Sequence, residues 1–251
     1  MIRIINLILF TIVINSTAQA NDLIVGGLSS KNISINTTFS GSDIFIFGSI
    51  KRNNNKEIIP SDIIIEVLGP KTNLTVRKKK KMFGIWVNSD PYKIIDSPSF
   101  YSLIYTDEPE NILSDTQLAK TLIGKEQFFR SKNLQEGYFD AVNANIRIKS
   151  KDGSYLFNND PITLKGETLF SARVSLPANL TEGDYETKIH LVQNNRIVTS
   201  YIDFIKVRKI GVEKWLYKTA HEEPLFYGII SIFLALFFGW GASTLFRRFQ
   251  K

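Results

Sequence analysis

The residues with the most obvious chemical potential are a run of five cations, Arg77, Lys78, Lys79, Lys80 and Lys81, followed by Phe83 and Trp86. A run like this attracts an anionic ligand, polymer or lipid headgroup. Successive strand residues face opposite ways, so alternation predicts cations on both faces of a strand rather than one focused site. The plain alternative is a solvated run that keeps an exposed strand edge from pairing with another chain. The remaining reactive side chains are few. The chain has no cysteine, two histidines and two methionines, which excludes disulfide staples, thiolate nucleophiles and Cys, multi-His or Met-rich metal sites. His190 alternates with Ile189 and Leu191 and falls with Glu186 and Lys188 on the polar side of a strand, where exposure is expected. His221 lies beside Glu222 and Glu223, but adjacent residues on a helix do not converge on one point. No carboxylate pair, Ser-His-Asp set or glycine-rich phosphate loop stands out. No catalytic, metal or cofactor-binding residue is assigned, and no cofactor is expected.

The elements that would position these residues are bracketed by two apolar segments. Residues 1–20 have the parts of an export signal: Arg3, an apolar stretch from Ile4 to Ile14, and Ala18-Gln19-Ala20 before a cleavage point. An uncleaved anchor is the rival reading. Eleven helical residues rise only about 16 Å against roughly 30 Å of hydrocarbon, which favours cleavage. Residues 225–246 carry no charged side chain and are followed by Arg247, Arg248 and Lys251. In lipid a lone segment can satisfy its backbone only as a helix, and the basic tail 247–251 predicts a cytoplasmic C-terminus. The resulting expectation is a single-pass protein of the bacterial inner membrane with its remaining residues in the periplasm. Removing Arg3 and the three tail cations from the net +7 leaves +3, too little to argue for nucleic acid.

Within the second segment Ser231, Ala235, Gly239 and Ser243 recur every four residues. Small side chains at this spacing let two membrane helices approach closely, so they are the candidate helix-packing face for another membrane protein or a second copy. Just before it, residues 210–224 form a short neck. Val212, Trp215, Leu216 and Thr219 share one helical face, and Trp215 and Tyr217 are candidate interfacial anchors. The neck either lies on the outer leaflet or docks on the preceding domain.

The rest reads as mainly β, with an immunoglobulin-like β-sandwich as the expected architecture. Residues 21–107 contain strands at Asp43–Ile50, Asp62–Val67, Asn73–Lys80, Gly84–Asn88 and Ser99–Thr106. Residues 108–160 change to helical spacing. Ile112, Leu113, Thr116, Ala119, Leu122 and Ile123 form one stripe, and Phe139, Val142, Ile146 and Ser150 a second. Residues 161–209 return to β, with strands at Leu169–Leu176, Tyr185–Gln193 and Arg196–Val207. Asn194-Asn195 sits where a two-residue hairpin turn belongs. Pro177, Gly183 and Tyr185 are spaced like an immunoglobulin corner, where the tyrosine hydroxyl bonds back to the chain. Whether the two β regions share one core stays open.

The blocks GIWVN (84–88), SFYSLIY (99–105), LPAN (176–179), VRKIGVEKWLYKTAHEEPLFYG (207–228) and GWGASTLFRR (239–248) resemble those of the alphaproteobacterial putative transmembrane protein family. The neck and span are the most specific part. The resemblance implies a signal peptide and one C-terminal span, and no functional residues. Members are often encoded near a permease of the sulfite-exporter type, which implies an accessory role at a membrane partner. Three function classes follow. The preferred one is a non-enzymatic accessory or binding protein. The others are an envelope-acting enzyme with a site assembled from scattered Asp, Glu, Tyr and Lys, and a binder of anionic polymer or lipid through residues 77–81.

Overall fold

Isoleucine-rich segments with period-two alternation dominate the chain, and they sort into two facing sheets. The computed structural model describes residues 22–52, 59–129 and 137–249; the export signal expected at 1–20 lies outside them. The strands in chain order are β1 (Leu23–Leu28), β2 (Asn32–Ile35), β3 (Ser42–Lys51), β4 (Asp62–Leu68), β5 (Lys71–Met82), β6 (Ile85–Pro98), β7 (Tyr101–Tyr105), β8 (Tyr155–Phe157), β9 (Thr163–Lys165), β10 (Leu169–Leu176), β11 (Gly183–Gln193) and β12 (Arg196–Lys209). One sheet has the order β1-β3-β10-β9 and is antiparallel throughout. The other has the order β2-β12-β11-β4-β7-β8, antiparallel at its centre and parallel at both edges. Strands from the first and second halves of the chain share each sheet: β10 pairs with β3, and β11 with β4.

The sheets meet through Ile44, Ile46, Phe170, Val174 and Leu176 on one side and Ile63, Ile65, Val67, Ile189, Leu191, Ile205 and Val207 on the other. Strand β10 shows the physical rule plainly, since every second residue from Phe170 to Leu176 is buried. Strand β4 breaks it, because Ile63 to Val67 are all buried. Its odd residues face the other sheet, while Ile64 belongs to a second core. That core is covered by helices α1 (Pro109–Ile112), α2 (Asp115–Thr121) and α3 (Tyr138–Lys151) and a 3-10 turn at Gly124–Phe129. It joins Ile64, Tyr101, Leu103 and Val192 to Ile112, Leu113, Ile123, Phe128, Tyr138, Val142 and Ile146. The protein is therefore mainly β, built as sheet, sheet and helical layer, with a further apolar helix at its C-terminal end.

The helical region differs from the stripes read in the sequence. The first stripe is not one helix. Ser114 caps a new start by accepting a bond from the Gln117 amide, and Leu122 ends that helix in the left-handed region at φ 54°. In α3 the buried face is Tyr138, Ala141, Val142, Asn145 and Ile146, whereas Phe139 is exposed. Phe139 lies one residue off the covered face, and apolarity alone does not distinguish it from Tyr138.

Local turn chemistry follows the residues closely. Asn194 and Asn195 both have positive φ, 51° and 60°, the geometry a two-residue turn between right-twisted strands requires. The Tyr185 hydroxyl donates to the Thr181 carbonyl at 2.9 Å, so the corner bond forms. Edge strand β2 is tied to β12 by Lys31 Nζ and the Asp203 carboxylate at 2.7 Å. Desolvation pushes the Asp203 carboxyl up, but hydrogen bonds from Lys31 and the Phe204 amide, with the Lys31 charge, outweigh it and hold it below the ordinary carboxylate value.

Candidate membrane interface

Two helices carry the chain away from the sandwich. Gly211, at φ 122°, follows β12 and admits the turn into α4 (Val212–Glu222). Glu223 is the only residue outside helical geometry before α5 (Pro224–Phe249). Pro224 suits that first turn, where its missing N–H leaves no bond unmade. The 21 residues Pro224–Thr244 have mean hydropathy 2.0, and none of that stretch is buried inside the protein. At 1.5 Å per residue it is about 31 Å long, the thickness of a bilayer core. Ile229, Phe233, Leu236, Phe238 and Trp240 are exposed around it. A helix apolar on every side and covered by nothing belongs in lipid.

The small residues Ser231, Ala235, Gly239 and Ser243 fall on this helix at one-turn intervals and are all exposed. Ser231 turns its hydroxyl back onto the Tyr227 carbonyl at 2.8 Å, which removes its polarity from the surface. A Cβ added at Gly228, Gly239 or Gly241 would meet no atom within 4 Å beyond its own helix backbone and chain neighbours. Among the described residues this face therefore has no partner within the chain.

In α4, Trp215 and Leu216 are exposed, and Tyr217 is 68 % exposed. Tyr217 stacks on His221 at 4.1 Å between ring centroids, and His221 Nδ1 lies 2.9 Å from the Tyr217 carbonyl. A groove of about 850 Å³ separates this helix from the near end of the sandwich, lined by Ile35, Asn36, Glu182, Lys209, Tyr217 and His221 among others. The neck thus has one side turned to the sandwich, while Trp215 stays outside. Among the described residues no group of three or more His, Asp or Glu could hold a metal.

The basic run occupies the outer half of β5, and Arg77, Lys78, Lys79, Lys80 and Lys81 are all exposed. None pairs with a carboxylate among the described residues. The alternation expected from the sequence is interrupted once within the run. The β5–β6 register shifts between Arg77 and Lys79, a bulge that places an extra residue on one strand. Arg77, Lys78 and Lys79 all line a groove of about 780 Å³ between the hairpin and α3, with Asp140 and Arg147 opposite.

His190 requires a correction. It is buried, at 9 % exposure, as is Glu66. Alternation places it on the side away from the first core, but that side is covered by the helical layer. Its Nδ1 lies 2.7 Å from Ser200 Oγ, and its Nε2 lies 3.6 Å from the Glu66 carboxylate. Tyr101 donates to Glu66 at 2.6 Å and accepts from the Gly124 amide at 3.0 Å. The order serine, histidine, carboxylate invites a nucleophile reading. The 3.6 Å gap is too long for the hydrogen bond that would orient the ring. The chain of contacts instead fastens the Gly124 turn to the sheet. No local sequence signal marked Glu66 or Tyr101 as polar anchors within apolar strands.

No curated protein matches the sequence. The family model described as "Putative transmembrane protein (Alph_Pro_TM)" matches residues 23–248, taking in the sandwich, the helical layer, the neck and the apolar helix, and the chain belongs to that family.

Proposed function

We propose that this is a single-pass membrane protein that assists another membrane protein without itself being an enzyme. Its β portion stands in the periplasm as a binding surface, α5 crosses the inner membrane, and the basic tail lies in the cytoplasm. The face of Ser231, Ala235, Gly239 and Ser243 packs against a partner helix. The observation that carries this reading is the small-residue face on an otherwise bulky helix, with nothing from the same chain against it. Bulky Ile, Leu and Phe suffice for anchoring, whereas close helix contact needs small residues. The family resemblance makes a permease of the sulfite-exporter type a reasonable partner.

Gly239→Ile tests the claim. A Cβ at position 239 meets no atom within 4 Å beyond its own helix backbone and chain neighbours, so the protein should still insert and fold. The expected result is loss of a co-purifying membrane partner with unchanged membrane content of the variant. Unchanged co-purification would remove the packing claim.

A further inference from the structure

The β5–β6 hairpin forms a two-stranded sheet of its own. Its inner half is held by Leu74, Val76, Tyr92 and Ile94 against the second core. From Arg77 to Met82 every β5 residue is exposed; Arg77 to Lys79 still flank α3 across its groove, and Lys80 to Met82 carry the hairpin roughly 10 Å farther at about 3.3 Å per residue. The turn is Phe83-Gly84, with both φ values positive at 50° and 85°, a tight reversal that puts Phe83 at the apex. Phe83 is fully exposed, and Met82, Ile85 and Trp86 beside it are 47 %, 64 % and 67 % exposed.

Cross-strand pairing arranges this tip in two tiers. Met82 pairs with Ile85, Lys81 with Trp86 and Lys80 with Val87. Lysines therefore stand behind the apolar apex on both faces of the ribbon. From Arg77 to Pro91 the sequence holds five cations and one carboxylate, Asp90. An apolar point with a cationic collar on both sides matches the two layers of an anionic bilayer surface: acyl chains and glycerol level for Phe83 and Trp86, headgroup phosphates for the lysines. The hairpin root lies at the neck end of the sandwich. Gly183 abuts Pro70 so closely that a Cβ there would sit 2.6 Å from the proline ring, and Gly183 pairs with Val207, a few residues before α4.

We propose that the β5–β6 hairpin tip is a second membrane contact, inserting Met82, Phe83, Ile85 and Trp86 into the outer surface of the anionic bilayer that holds α5, with Lys78 to Lys81 on its headgroups. The contact depends on α5 being a span but not on any partner helix. It fixes the orientation of the sandwich above the bilayer, which a single helix and neck leave free to rotate.

The chain contains no cysteine, so single-cysteine labelling needs no background removal. The full chain carrying Phe83→Cys, or Ile85→Cys to retain the apical ring, is labelled with a nitrobenzoxadiazole dye and reconstituted into vesicles. The vesicles contain phosphatidylglycerol or phosphatidylcholine alone, with spin-labelled lipid as quencher. The expected result is quenching by lipid in the phosphatidylglycerol vesicles that fades as salt rises. Replacing Lys78, Lys79, Lys80 and Lys81 with Gln should weaken it by about tenfold or more, since each cation near such a surface contributes separately. A dye open to aqueous iodide in both lipids, at both positions, overturns the proposal. Quenching only by lipid supplied in a second set of vesicles overturns the assignment to the chain's own bilayer.

Discussion

Tyr101→Phe removes one oxygen from the centre of the second core, and its cost follows from two contacts. The hydroxyl donates to the buried Glu66 carboxylate at 2.6 Å and accepts from the Gly124 amide at 3.0 Å. Tyr101 is wholly buried, so water cannot replace it. Losing a hydrogen bond to a charged group costs about 1.5–3 kcal/mol, and a stranded buried amide about 1–3 kcal/mol. Phenylalanine retains the edge-on ring contacts to Phe128 and Tyr155, so packing changes little. A loss of about 3 kcal/mol is expected, which for a chain of this size lowers Tm by about 6–12 °C. Thermal unfolding of the full chain in detergent, followed by near-ultraviolet circular dichroism, measures it. In a cycle with Glu66→Leu the double variant should lose less than the sum of the single losses, because Glu66 and Tyr101 no longer strand each other. A fall in Tm within experimental scatter, or strict additivity, would refute the assignment of this bond as the anchor of the Gly124 turn.

Two further outcomes follow from the sandwich. The Asp203 carboxyl is held below its ordinary value in the folded protein, so its pairing with Lys31 stabilises fully above the ordinary carboxylate pKa. That contribution is lost as pH falls through the lowered value. Asp203→Asn should flatten the stability–pH curve in that acid window and leave its neutral slope unchanged, as acid titration of unfolding will show. A Cβ at Gly48 would overlap the Val25 carbonyl and the Phe170 ring. Gly48→Ala should therefore cost about 1–3 kcal/mol by forcing β1 and β3 apart, read as a lowered denaturation midpoint, while Gly84→Ala, with nothing near its Cβ, costs only backbone strain.

Much of the architecture was legible because the physics behind it is local. Strand β10 alternates without a break, the Asn194-Asn195 turn needs only two positive φ values, and the apolar helix is recognised by length and the absence of charge. Partner choice is not local. Nothing in Ser42–Lys51 indicates pairing with Leu169–Leu176 more than a hundred residues later, so the shared core could not be read from the chain. Covering a second sheet face hides more. Strand β4 lost its alternation because helices cover its other side, and the same cover buried His190 and Glu66. The basic run was visible as composition, but its bulge and its projection from the body depend on where the hairpin is rooted.

The central claim, that α5 works through its small-residue face, is tested most directly by photo-crosslinking within the membrane. A photoreactive residue is placed at position 235 or 239, and at 237 on the opposite side of the helix. The account predicts a discrete adduct with a second membrane protein from 235 and 239 and lipid adducts alone from 237. Lipid adducts alone from all three positions would contradict it and reduce α5 to an anchor.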